Sequence, residues 1–201
     1  MNLKCERGKP LEYTDLDSGK AYFSVSQVLK VMDPNAFAGV DPYVMAAAQE
    51  RGKDLHVLFG LRLLAEIGLA ERPTRPSGII GNYYDGIEKF VREQKPRAIR
   101  VQESSINDKL GIAGTDDTEC FLDNIDSIVD LKTGPARVVH AAQLMAYKTM
   151  QGREKVKRLF SLYINKHGEY NLVHHKPDAM LWALFQASLA VLNGRRMYGI
   201  Q

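Results

Sequence analysis

A short apolar segment that ends in charged residues is the most informative feature of this sequence. Residues 128–134 read IVDLKTG, and their β-branched residues predict a strand. Side chains two positions apart on a strand share a face, so Asp130 and Lys132 project together while Val129 and Leu131 point to the other side. If Asp117, on the preceding predicted strand, lies opposite, two carboxylates and one ammonium converge at a sheet edge.

This combination of groups is the one that metal-assisted hydrolysis of a phosphodiester needs. Mg²⁺ prefers oxygen ligands, commonly one or two carboxylates with waters and phosphate oxygens. The backbone carbonyl of Leu131, between Asp130 and Lys132, is a further candidate ligand. A nearby lysine can orient the attacking water or stabilise negative charge. The alternative is a solvated Asp–Lys pair at a strand end, which is common in proteins.

Four short motifs together resemble those of the PD-(D/E)XK nuclease superfamily, in particular its RecB-like and phage-type exonucleases. Residues 114–117 (GTDD) resemble its Gly-x-x-Asp motif, and residues 130–132 (DLK) its (Asp/Glu)-x-Lys motif. Residues 143–147 (QLMAY) match the Gln-x-x-x-Tyr motif of the following helix, and residues 51–56 (RGKDLH) resemble an upstream Arg-Gly-x-x-x-His segment. The four occur in the order that is typical of this superfamily.

The resemblance implies a role for each matching residue. Asp117 and Asp130, with the Leu131 carbonyl, would bind Mg²⁺ or Mn²⁺, and His56 and Glu103 would complete the metal site. Lys132 would position the attacking water. The catalytic residues are therefore predicted to be Asp117, Asp130, Lys132, Gln143 and Tyr147, the last two steering the DNA backbone or holding the lysine.

Several of these residues have a second interpretation from the sequence alone. Gln143 and Tyr147 are four apart and share a helical face, which an ordinary surface helix would also produce. His56 lies on a partly apolar helical face and could be a core residue. Glu103 could be a solvated strand end, and Asp116 either supports the site or is exposed. His174 and His175 have no carboxylate or third histidine at ligand spacing and are interpreted as strand-end residues.

The surrounding pattern predicts an α/β fold, with a central mixed β-sheet flanked by helices, as in a restriction-endonuclease-like core. Residues 1–201 are expected to form a single nuclease domain. Its parts would be a hairpin and helices (1–95), a catalytic core (96–175) and a C-terminal helix (176–201). The predicted elements are strands at 11–13, 21–23, 98–103, 110–121, 127–131, 159–165 and 170–174, and helices from Ser24 or Ser26 and at 42–69, 80–94, 136–150 and 177–192.

Composition sets limits on partners and compartment. The net charge is +3, and residues 92–100 and 153–158 are locally basic. Each stretch is either a DNA contact or a solvated helix end. Two cysteines are too few for a disulfide framework, which favours a cytoplasmic protein, in the bacterial host cell if the chain is phage-encoded. They also exclude the four-cysteine iron–sulfur cluster of some relatives.

The function expected from the resemblance is a metal-dependent DNA exonuclease of recombination, repair or phage DNA processing. Its partners would be DNA and a single-strand annealing or recombination protein, with no membrane. A nicking or structure-specific endonuclease is the alternative, and the residues do not distinguish it from an exonuclease. A non-catalytic DNA-binding module on the same fold is a third reading, although such modules usually lose the metal carboxylates or the lysine.

Overall fold

The computed structural model describes residues 3–5 and 12–200, which contain ten strands and five helices. The strands are β1 (Leu3–Cys5), β2 (Glu12–Asp15), β3 (Ala21–Ser24), β4 (Arg97–Val101), β5 (Ser104–Asn107), β6 (Ile112–Thr115), β7 (Thr118–Leu122), β8 (Ile125–Lys132), β9 (Arg158–Ile164) and β10 (Tyr170–His175). The helices are α1 (Val25–Met32), α2 (Pro42–Glu66), α3 (Gly78–Gln94), α4 (Val138–Lys148) and α5 (Ala179–Tyr198).

Within this described part, the strands form two mixed sheets of five strands each. The first has the order β1-β2-β3-β6-β5, and only β3 and β6 are parallel in it. The second has the order β10-β9-β8-β7-β4, and only β8 and β9 are parallel. The second sheet is the central mixed sheet that the sequence predicted, so the α/β fold class is confirmed. The first sheet was not anticipated.

The central sheet lies between two layers of helices. Ile128 of β8 packs in a cluster with residues of α1, α4 and α5. Val129 and Leu131, on the opposite face of β8, pack with residues of α2 and α3. The predicted alternation along this strand is therefore confirmed, and it places Asp130 and Lys132 on the α4 side of the sheet.

The single strand predicted over residues 110–121 is wrong. The chain forms β6 and β7 instead, separated by Asp116 and Asp117. β6 pairs with β5 in the first sheet, whereas β7 pairs with β8 in the central sheet. The alternating pattern of a strand does not reveal a change of pairing partner, which is why the break was missed.

Local sequence signals account for the start of two helices. Ser24 caps α1 in a capping box with Gln27, each side chain bonding the other residue's backbone N–H. Asp41 caps α2 by accepting from the N–H of Tyr43 and Val44, and Pro42 occupies the first turn. The predicted hairpin is formed by β2 and β3; Leu11 lies outside the described residues.

The last helix differs from its prediction. It begins at Ala179, because the Asp178 side chain accepts from the N–H of Leu181, and it continues through Gly194 to Tyr198. Gly199, in the left-handed conformation, ends it. Phe185 and Leu189 are buried, whereas Leu184 is 51% exposed.

None of the helices within residues 3–5 and 12–200 is both long enough and apolar enough to span a membrane.

Candidate active site

Asp117 lies at the point where the chain passes from one sheet to the other. Its Oδ1 is 2.7 Å from Nδ1 of His56 on α2. Its Oδ2 accepts a 2.6 Å hydrogen bond from the backbone N–H of Leu131 on β8. The carboxylate is thus held from two sides, by a helix side chain and by the backbone of the central sheet.

Asp130 and Lys132 form an ion pair on the same face of β8. Asp130 is almost completely buried, and its Oδ2 lies against the Lys132 ammonium. Burying a carboxylate is costly unless its charge is paired, and the Lys132 ammonium provides that pairing. The ion pair therefore keeps a carboxylate and an ammonium together at this edge of the sheet.

Two residues of α4 continue from Lys132 in a chain of hydrogen bonds. The Lys132 ammonium donates to Oε1 of Gln143 over 2.8 Å, and Nε2 of Gln143 donates to the hydroxyl of Tyr147 over 2.9 Å. Burial raises the pKa of Tyr147 well above its ordinary value, so its hydroxyl keeps its proton. The structure therefore brings the Gln-x-x-x-Tyr residues to the lysine that they were predicted to hold.

A glycine makes room for the ring of Tyr147. A Cβ atom on Gly114, in β6, would lie 2.7 Å from Cε1 of Tyr147, closer than real Cβ contacts allow. The glycine of the Gly-x-x-Asp motif is thus explained by close packing against the helix that carries Tyr147.

The pKa values of the two buried carboxyl groups, Asp117 and Asp130, are shifted in opposite directions. Burial by itself raises the pKa of each. For Asp117, the charge of His56 and hydrogen bonds from His56 and Leu131 outweigh burial, so the pKa is below its ordinary value. For Asp130, burial prevails over the attraction of Lys132 and the pKa is raised. The pKa of His56 is raised, mainly by the negative charge of Asp117 and against the effect of burial.

These side chains line one cleft of about 620 Å³. The predicted residues that contribute to its wall are His56, Asp117, Asp130, Lys132, Gln143 and Tyr147. They come from α2, the β6–β7 junction, β8 and α4, so four separate segments of the chain converge.

The cleft also contains residues that sequence reasoning missed. The hydroxyl of Thr115 lies 3.0 Å from that of Tyr13 and 2.7 Å from that of Ser104. Gln102 donates to the backbone carbonyl of His56, and Lys53 lies on the rim. Thr115 could have been identified from the sequence, because it lies only two residues before Asp117. Tyr13 and Ser104 could not, because the first sheet that positions them was not predicted.

Glu103 is not brought to this cleft. Its side chain is 57% exposed and lies 3.5 Å from the Arg100 guanidinium.

Leu131 contacts the site through its backbone N–H, and metal binding by its carbonyl stays a prediction. The strand-end histidines also lie elsewhere: the His174 ring is tilted against that of Phe160, and His175 is 3.0 Å from the hydroxyl of Ser161.

Asp116 has a supporting position behind Asp117. It is buried and forms an ion pair of 2.8 Å with Arg153, a side chain only 1% exposed. Arg153 also lies 3.1 Å from Glu119, which Arg100 approaches to 3.2 Å. Arg153 is therefore a buried structural residue and not a surface contact for DNA.

The side chains of the cleft offer few metal ligands. Among the described residues, no group of three or more His, Cys, Asp or Glu side chains is arranged to hold a metal ion. Asp117 and Asp130 alone supply the two carboxylates that Mg²⁺ commonly uses with waters and substrate oxygens. Two carboxylates in one cleft therefore fit Mg²⁺ or Mn²⁺, whose remaining ligands are waters and substrate oxygens, better than an ion that is ligated by protein alone.

Comparisons with known proteins identify the fold. No protein-family model and no curated protein sequence matches the chain. An alkaline exonuclease from Laribacter hongkongensis is similar in structure, with a TM-score of 0.50 and 8% identity over 89% of each chain. A provisionally named exonuclease from Eubacterium rectale aligns with all of this chain and 88% of its own, at 13% identity and a TM-score of 0.49. The first similarity confirms the nuclease-type fold that the sequence motifs implied.

Proposed function

We propose that this protein is a metal-dependent DNA exonuclease that hydrolyses phosphodiester bonds. The observation that carries the proposal is the convergence of Asp117, Asp130 and Lys132, from separate segments, in one open cleft. Costly buried charge of this kind is typical of functional sites. The fold shared with the alkaline exonuclease supports the same conclusion.

The metal would be Mg²⁺ or Mn²⁺, held by Asp117 and Asp130 with the Leu131 carbonyl as a further candidate ligand, while His56 pairs with Asp117. When bound, such an ion supplies an activated water and stabilises charge on the phosphate. Asp117 is suited to this role because its low pKa keeps it ionised. His56 also fixes the orientation of Asp117 through their 2.7 Å contact.

Lys132 would position the attacking water and stabilise negative charge on the phosphate. Its ammonium has two described partners, Asp130 and Gln143, which hold it at the cleft. A lysine ammonium has three donors, so one is left for a water or a phosphate oxygen. Gln143 and Tyr147 would keep the lysine in this orientation and contact the DNA backbone.

Digestion of end-labelled linear DNA and closed circular DNA tests this function. With Mg²⁺ or Mn²⁺ we expect the linear DNA to be degraded and the circle to survive. Lys132→Ala should lower the rate by about a hundredfold or more, the usual scale for loss of a charge-stabilising group. Lys109→Ala, which changes an exposed lysine outside the cleft, is the matched control and should retain full activity.

Two results would contradict the proposal. Cutting of the circle would identify an endonuclease with the same chemistry. No cutting with either metal would favour a DNA-binding module on a nuclease fold. Titration calorimetry with Mn²⁺ tests the metal site independently, because Asp130→Asn should weaken binding while Lys109→Ala should not.

The biological setting that we propose is recombination, repair or phage DNA processing. A single-strand annealing or recombination protein would be the partner, and the cytoplasm the compartment. Co-purification of a tagged chain with such a protein tests this part, and it does not depend on the polarity of digestion.

A further inference from the structure

The outer face of α5 is apolar and unpartnered among the described residues. Residues 179–194 contain no charged side chain. Phe185 and Leu189 face the core, whereas Met180, Leu184 and Val191 are 81%, 51% and 45% exposed on the other side. A continuous exposed apolar face usually marks an interaction surface on a soluble protein.

The residues of this face have the spacing of a helix–helix seam. Met180, Leu184, Ala187, Val191 and Gly194 recur at alternating steps of four and three. Side chains at this spacing form one stripe along a helix and interdigitate with the same stripe on a neighbour. Alanine and glycine along the stripe let two helix backbones approach closely.

We propose that the α5 outer face pairs with the same face of a second copy of this chain, antiparallel, about a twofold axis near Ala187. In this register each large side chain lies opposite a small residue: Met180 faces Gly194 of the partner, and Leu184 faces its Ala190. The contact is self-complementary, as a twofold dimer interface requires.

The charges at the two ends of α5 favour antiparallel pairing of this face with a second copy of the chain. Asp178 stands at the start of α5, and Arg195 stands near its end. Antiparallel pairing centred on Ala187 brings Asp178 of each copy beside Arg195 of the other. It also opposes the two helix dipoles, whereas a parallel pair would bring like charges and like dipole ends together.

The proposed dimer leaves the catalytic cleft open. No residue of α5 lines the cleft, whose described wall comes from the first sheet, α2, the β6–β7 junction, β8 and α4. The proposal goes beyond the nuclease function and does not depend on it, so the two can fail separately.

Sedimentation velocity of the full chain over a range of concentrations tests the pairing. We expect the wild type to pass from monomer to dimer as concentration rises. Leu184→Glu should weaken dimerisation at least tenfold, because it places a carboxylate in an apolar seam. Leu69→Glu, at a residue that is 73% exposed outside α5, is the matched control and should dimerise like the wild type.

Circular dichroism and thermal unfolding of each variant establish that it is folded before it is compared. A wild type that stays monomeric at all concentrations, or a dimer that Leu184→Glu leaves unchanged, would overturn the proposal. So would binding of the monomeric wild type to anionic lipid vesicles that Leu184→Glu abolishes, since the occupant would then be a membrane surface.

Disulfide trapping tests the orientation. In the antiparallel register, Ala187→Cys places the two introduced thiols next to each other, and oxidation should give a covalent dimer. Met180→Cys should not cross-link to itself, because its copies would be roughly 20 Å apart at 1.5 Å per residue. Efficient self-linking of Met180→Cys would indicate parallel pairing and overturn the register.

Discussion

At the scale of single residues, the site depends on side chains that are held before any ligand arrives. Asp117 has both oxygens in hydrogen-bond contact, and Lys132 is held by Asp130 and Gln143. Because these charged groups are already in place, little free energy is needed to reorganise them during a reaction. Small changes of packing next to these residues should therefore affect activity as well as stability.

Gly114→Ala is the most direct test of that packing. The added methyl would meet the ring of Tyr147 at 2.7 Å, so the ring or β6 must move. We expect a loss of about 1–3 kcal/mol in the free energy of unfolding, the usual cost of overpacking. Nuclease activity should fall further than stability alone explains, because Tyr147 supports Gln143. Gly134→Ala, where an added Cβ meets nothing within 4 Å, is the control; equal effects of the two would contradict the argument.

At the scale of elements, a buried ion-pair network ties the β6–β7 junction to the turn after α4. Arg153 contacts Asp116, next to Asp117, and Glu119 on β7. Both carboxylates are almost fully buried, and burial raises the pKa of each to about 7, so contact with a guanidinium is what favours their charged form. This network supports the backbone at the point where the chain changes sheets.

Arg153→Met should therefore be strongly destabilising. Removing one partner of a buried ion pair leaves uncompensated charge, which costs about 3–5 kcal/mol. Arg158→Met, at a partly exposed arginine with a long 3.8 Å contact to Asp123, should cost less than about 1 kcal/mol. Urea unfolding of both variants measures the difference, and similar midpoints would refute the structural role of Arg153.

At the scale of the whole molecule, a partly buried neutral histidine makes stability depend on pH. Burial and the nearby charges of Lys132, Arg137 and His175 lower the pKa of His140 to about 3. Its Nδ1 lies 2.8 Å from the hydroxyl of Tyr163. The unfolded chain takes up a proton near pH 6.5 but the folded chain does not, so acid favours unfolding.

The free energy of unfolding should consequently fall as pH drops below the unfolded pKa of His140. Between pH 6.5 and 5 we expect His140 to contribute a loss of about 1 kcal/mol, roughly half the full linkage value because the ring is partly exposed. Denaturant unfolding at several pH values measures this. In His140→Gln the slope over this range should be smaller, and an unchanged slope would assign the dependence to other groups.

A single cooperative transition in the same experiments is expected, since residues 1–201 are predicted to form one domain. Separate transitions for the two sheets would contradict that prediction.

Local patterns in the sequence determined much of this protein. The alternation along β8 placed Asp130 and Lys132 on one face, and the spacing of Gln143 and Tyr147 placed both on one side of α4. These features follow from the geometry of a strand or a helix, which depends on neighbouring residues alone. The caps at Ser24 and Asp41 are local for the same reason.

Only the tertiary structure decided the rest, because contacts between distant segments have no local signature. It divided the predicted strand at Asp116 and Asp117 and brought His56 to Asp117 across 61 positions of sequence. It also turned Glu103 away from the cleft and left Leu184 exposed. Each of these outcomes depends on which elements pack together, and that choice is made by the burial of the whole chain.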